Sequence, residues 1–143
     1  MRVRHVGITV SNLEKSISFY RDLLGFSVTK EMDESGQHID NFSGLENIDV
    51  RTVKMSGVDG SMIELLYYRS HPENNEENLV NNITKVGCSH FALTVEDLPT
   101  LYSQLLENEL VVMCEPQYSP DGNVRLTFCR DPDGTLIELV EEL

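Results

Sequence analysis

Two histidines and two glutamates are the residues of this chain whose types and spacing could do chemistry together: His5, Glu64, His90 and Glu138. His5 and His90 stand 85 residues apart and Glu64 and Glu138 stand 74 apart, and each separation is also the offset of an ungapped internal alignment. HVGITVSNLEKSISFY from His5 lies on HFALTVEDLPTLYSQL from His90, and VRTVKMSGVDGSMIELLYY from Val50 lies on VRLTFCRDPDGTLIELVEE from Val124. The chain is one unit written twice. A single histidine in a strand is ordinarily a hydrogen-bonded structural residue and a single glutamate a solvated one, but a structural role does not require both to recur at matched positions of two copies. Two imidazoles and two carboxylates suit one divalent ion and leave two positions of an octahedron for water or substrate oxygens. The ion's charge and those of the two glutamates then cancel. Such an ion polarises a carbonyl and stabilises the negative oxygen that develops when a neighbouring C–H proton leaves, giving an enediolate or enolate. Glu64 and Glu138 are both placed by symmetry to act as the base, one removing a proton and the other returning it.

Side-chain alternation determines whether these four residues can share a face. In VRHVGITV, Val6, Ile8 and Val10 point one way while His5, Gly7 and Thr9 point the other, and CSHFALTV repeats the pattern. In SMIELLY, Ile63, Leu65 and Tyr67 oppose Met62, Glu64 and Leu66; in TLIELVE, Ile137 and Leu139 oppose Leu136, Glu138 and Val140. If the fully apolar face of each sheet packs on its helix, all four residues lie on the opposite, helix-free face. A carboxylate in an apolar strand costs several kcal/mol unless a positive charge compensates it, and no Lys or Arg lies within these strand cores.

Each unit reads as βαβββ. Asn12 and Asp97 can cap helices whose apolar residues recur at helical spacing, Leu13, Ile17, Tyr20 and Leu24 in the first, Leu98, Leu101, Leu105 and Leu106 in the second, and Gly25 suits the stop of the first. The strand FSVTKEM follows, and then a strand pair joined through Gly57-Val58-Asp59-Gly60, or in the second copy through Asp131-Pro132-Asp133-Gly134. The two offsets differ by 11 residues, which places an insertion in the first copy, in the polar stretch around Glu31 to Asp49. Residues 69–85 are polar and Asn-rich and read as the connector between modules of about 1–68 and 86–143. Extended, these seventeen residues reach roughly 55 Å, so the halves can pair within one chain or across a dimer.

At 143 residues the chain has the length of a single domain. Its 11 Lys plus Arg against 24 Asp plus Glu, a formal charge of −13, disfavour nucleic acid and anionic membrane as partners. No stretch approaches the roughly 20 apolar residues of a spanning helix, and the start, MRVRHVGITV, does not read as a secretion signal. Cys88, Cys114 and Cys129 are odd in number and show no C-x-x-C spacing, which points to reduced core thiols and a cytoplasmic protein. His38 and His71 lack repeat partners and read as surface residues, as do Glu31, Asp33, Glu34 and the acids from Glu73 to Glu77.

Through HVGITVSNLEKSISFYRDLLGF, CSHFALTVEDL and DPDGTLIELVEEL, the chain resembles the vicinal oxygen chelate (glyoxalase/bleomycin resistance/dioxygenase) superfamily over its full length. The resemblance implies an α+β fold in which paired βαβββ modules form a cup-shaped eight-stranded sheet around a metal, usually in a homodimer. The ligand set His5, Glu64, His90 and Glu138 looks like that of bacterial lactoylglutathione lyase; methylmalonyl-CoA epimerase is similar but typically has Gln in place of Glu64. The resemblance also implies one divalent ion (Ni, Zn, Co, Mn or Mg, with Fe ranked behind them), Glu138 as the first choice of base, and a small-molecule substrate: a thiol adduct, an acyl-CoA or an oxo compound. Where glutathione-using bacterial members carry Arg and Asn as glutathione contacts, this chain has Thr9 and Tyr68. Two further readings are an extradiol-type dioxygenase, with His5, His90 and Glu138 as an iron triad, and a metal-free antibiotic-binding resistance protein. A fourth ligand, Glu64, disfavours both.

Overall fold

The computed structural model describes residues 1–71, 83–84 and 86–143, so most of the 69–85 connector and the acids from Glu73 to Glu77 lie outside the described residues. The chain divides into two compact units, Met1–Asn74 and Asn75–Leu143. Each carries one four-stranded mixed sheet, and the fold is α+β with paired βαβββ modules.

In the first module the strands are β1 (Val6–Thr9), β2 (Ser27–Ser35), β3 (Asp49–Ser56) and β4 (Met62–Tyr68), arranged β1-β4-β3-β2. β1 runs parallel to β4, with Gly7 opposite Glu64, and β3 runs antiparallel to β4, with Lys54 opposite Glu64. The alternation expected from sequence is present: Ile8, Val10, Ile63 and Leu65 are buried. They share their face of the sheet with helix α1 (Leu13–Ser18). Asn12 caps this helix, its Oδ1 accepting from Lys15 N at 3.1 Å. The last turn, Phe19–Leu23, opens into a π-helix, with Leu24 N donating to Phe19 O. Within that wider turn the adjacent residues Phe19 and Tyr20 are both buried, edge to face at 4.9 Å. Gly25, at φ 74°, ends the helix as expected.

The 11 extra residues of the first copy surround a second helix, α2 (Gln37–Ser43). Its Ile39 joins Ile48 and Val50 in a buried cluster against which Leu66 and Tyr68 pack. Val50 pairs with Tyr68 and Thr52 with Leu66, so this cluster lies on the same sheet face as Lys54 and Glu64. The expectation of a helix-free site face is thus corrected for this module: the insertion supplies apolar residues that can be buried only by covering the far end of that face.

In the second module the strands are β5 (Phe91–Thr94), β6 (Gln117–Tyr118), β7 (Val124–Arg130) and β8 (Leu136–Glu142), arranged β5-β8-β7-β6. The register repeats that of the first copy: Ala92 lies opposite Glu138 in the parallel pair, Phe128 opposite Glu138 in the antiparallel one. Helix α3 (Leu98–Glu107) is capped by Asp97, whose Oδ1 accepts from Thr100 N. It buries Leu98, Leu101 and Leu105, while Leu106, expected on the same stripe, is exposed because its place in the helical turn lies beyond the buried face.

The two strand-joining turns have the same hydrogen bonds at repeat-equivalent positions. Gly57 N donates to Ser61 O and Gly60 N to Gly57 O; Asp131 N donates to Thr135 O and Gly134 N to Asp131 O. Gly134, at φ 89°, takes a conformation that other residues adopt only with strain. The buried Asp131 carboxylate accepts from Asp133 N and Thr135 N through Oδ1. Asp131→Ala is expected to cost about 1–3 kcal/mol by leaving those donors unpaired, and Asp131→Asn, which keeps an acceptor, less; urea denaturation measures both.

Among the described residues no helix is long and apolar enough to cross a membrane. All three cysteines are free, but the expectation of core thiols holds for Cys129 alone: Cys88 and Cys114 are exposed. Burial, reinforced by the Asp131 charge, pushes the Cys129 thiol up to about 12, so it holds almost no thiolate at neutral pH. Alkylation of the native protein with iodoacetamide, read by mass spectrometry, is expected to mark Cys88 and Cys114 and to reach Cys129 only after unfolding.

Candidate metal centre

Each module brings its histidine to its glutamate. In the first, His5 Nε2 lies 3.3 Å from Glu64 Oε2; in the second, His90 Nε2 lies 3.3 Å from Glu138 Oε2. The parallel register explains both. Gly7 and Ala92 are the direct partners of the two glutamates, so the histidines two residues earlier project on the same face one step along the strand. All four side chains are partly buried.

The spacing fits ligation. Two donors that each sit about 2.1 Å from one ion at right angles are about 3.0 Å apart, close to the distance within each pair. His90 also has its other ring nitrogen engaged, Nδ1 lying 2.8 Å from Ser89 Oγ, as orienting contacts to ligand histidines commonly do. Among the described residues no group of three or more His, Cys, Asp or Glu side chains is gathered closely enough to hold an ion; the pairs belong one to each module.

Around the pairs the two modules differ, and sequence reasoning missed the difference. Lys54 Nζ lies 3.3 Å from Glu64 Oε1, so Glu64 touches His5 with one oxygen and an ammonium with the other. The expectation that no cation compensates these glutamates is corrected for Glu64: its partner comes from the neighbouring strand rather than its own. At the repeat-equivalent position stands Phe128, which meets the His90 ring edge to face at 5.2 Å. Lys54 and Phe128 face each other in the internal alignment of VRTVK with VRLTF, so the mismatch itself was the available signal.

The remaining candidates sit elsewhere. His38 meets the Phe42 ring edge to face and His71 Nδ1 lies beside Ser70 Oγ, both histidines exposed. Glu31 and Asp33 are exposed but not simply solvated: Arg51 bridges them, and Arg69 joins Asp33 to Asp49. The hydrogen bond from Arg69 holds the Asp33 carboxyl below its usual range. Glu34, half-buried, accepts from Thr52 Oγ1. A cavity of about 400 Å³ in the first module, lined by residues that include Asn12, Arg51, Tyr67 and Arg69, contains none of the four site residues.

A twice-repeated mixed sheet carrying a His–Glu pair on matching strands defines a duplicated α+β module of the glyoxalase type. Residues 2–139 match the Glyoxalase/Bleomycin resistance protein/Dioxygenase superfamily, and the chain belongs to it. It is 29% identical over 142 residues to a probable lactoylglutathione lyase of Synechocystis sp., covering 99% of this chain and 95% of that protein. A mitochondrial methylmalonyl-CoA epimerase of Dictyostelium discoideum is 26% identical, with 99% and 78% covered. Among solved structures, a glyoxalase family protein from Bacillus cereus superposes with a TM-score of 0.89 at 28% identity, covering 100% of this chain and 95% of that one.

Proposed function

We propose that the chain is a divalent-metal-dependent enzyme of the lactoylglutathione lyase type, in which His5, Glu64, His90 and Glu138 hold one ion and Glu138 moves a proton. The observation that carries this reading is the equality of the two pairs: the same residue types at repeat-equivalent positions, with the same 3.3 Å spacing in each module. On this reading the two modules, about 1–68 and 86–143 with the connector 69–85, act as a single domain, and the protein is a cytoplasmic homodimer acting on a small molecule. A bound ion supplies the Lewis acidity that makes a C–H bond beside a carbonyl acidic and stabilises the charge left on oxygen. The histidines would fix its position, with Ser89 Oγ orienting the His90 ring and Phe128 packed against it. Glu138 has Phe128 rather than a cation as its neighbour across the hairpin, so no ammonium would compete for the carboxylate as it accepts a proton.

Tyr68 favours a second substrate within the same chemistry. Its side chain packs on the Ile39–Ile48–Val50 cluster, and a residue so engaged is a poor substitute for a glutathione contact. This supports an acyl-CoA epimerase-like proton transfer beside the lyase reading. Metal-loaded protein assayed with methylglyoxal plus glutathione, and in parallel with methylmalonyl-CoA, tests both: turnover of the first supports the lyase, of the second alone the epimerase, and of neither contradicts both assignments.

A further inference from the structure

The geometry points to Lys54 as the anchor for an anionic group of the substrate. This inference rests on the metal reading of His5 and Glu64 and names what else the site takes. Three observations carry it.

The first is position. Lys54 lies directly across the hairpin from Glu64 on the same face, its Nζ 3.3 Å from Glu64 Oε1, while Glu64 Oε2 is 3.3 Å from His5 Nε2. A group bound beside His5 and Glu64 therefore arrives within reach of the ammonium. The second is capacity. An ammonium carries three donors and Glu64 Oε1 occupies one of them. When Glu64 gives its other oxygen to a divalent ion, much of the carboxylate charge is drawn there and its hold on Lys54 weakens. The third is charge. A divalent ion, Glu64 and Glu138 sum to zero, and Lys54 leaves the assembled site at +1. In a partly buried setting an unbalanced charge is costly, and an anion is its direct remedy. The second module has Phe128 at the equivalent position, so only the first module sets an ammonium beside its His–Glu pair. The ligand class is a small acid whose carboxylate or similar oxyanion sits beside the oxygen that meets the ion.

Glycolate and its neutral isostere glycolamide probe this without knowledge of the natural substrate. Co2+-loaded protein is titrated with each, followed by the cobalt absorption spectrum, for wild type, Lys54→Met and Lys54→Arg. The wild type is expected to bind glycolate at least about tenfold more tightly than glycolamide, the scale of one charge-assisted hydrogen bond. Lys54→Met should keep its Co2+, lose that margin and leave glycolamide binding unchanged, and Lys54→Arg should restore most of it. Unchanged glycolate binding in Lys54→Met overturns the inference. So does an equal loss of both ligands, or of Co2+ itself, because Lys54 would then act only by holding Glu64 in place. Wild-type protein that takes up no Co2+ overturns the metal reading, and this role for Lys54 with it.

Discussion

Glu138→Gln is expected to lower turnover by about 10²- to 10⁴-fold, the usual contribution of a positioned general base, while leaving the fold intact. The amide keeps the shape of the carboxylate and can still offer an oxygen beside His90 Nε2, but it cannot accept the proton. The fold should tolerate the change because the buried part of β8 is carried by Leu136, Ile137 and Leu139, none of which is touched. Circular dichroism and thermal unfolding should therefore match the wild type while the rate collapses in whichever assay, lyase or epimerase, the wild type supports. Glu64→Gln should behave differently, because Glu64 is held between His5 and Lys54: its main loss should be in metal affinity. A Glu138→Gln variant of wild-type rate would remove Glu138 from the chemistry.

The second large effect is expected from His5→Ala. Loss of a residue that merely orients a ligand commonly costs 10- to 100-fold in metal affinity, so loss of the imidazole itself should cost at least about a hundredfold. Competition with a chromophoric chelator measures it directly. The change leaves Glu64 with Lys54 as its counter-ion, so stability should fall little; a protein that instead unfolds would mark His5 as a structural residue.

Much of the fold could be read from the sequence because it is recorded twice. Strand alternation around His5 and Glu64 predicts their shared face without reference to any other protein, and the difference between the two internal offsets locates the insertion that becomes α2. What escaped was set by contacts between segments rather than within them. The neighbour of Glu64 is determined by the hairpin register, and counting back from the turn at Gly57 and Gly60 pairs it with Lys54; attention to the glutamate's own strand alone conceals this. The π-turn after Ser18 is not recorded by periodicity, whereas the exposure of Leu106, about 100° round α3 from Leu105, follows from the helical period itself. The side of the sheet taken by α2 follows from the pairing of Val50 with Tyr68, again a long-range fact.

The claim on which the rest depends is that residues from both modules hold the same ion. Elemental analysis of the purified wild type, His5→Ala and His90→Ala proteins after equilibration with Ni2+ or Zn2+ is the shortest route to it. One ion per chain in the wild type, and a marked loss from both variants, is the predicted result. Wild-type protein free of metal, two ions per chain, or undiminished content in either variant would contradict it.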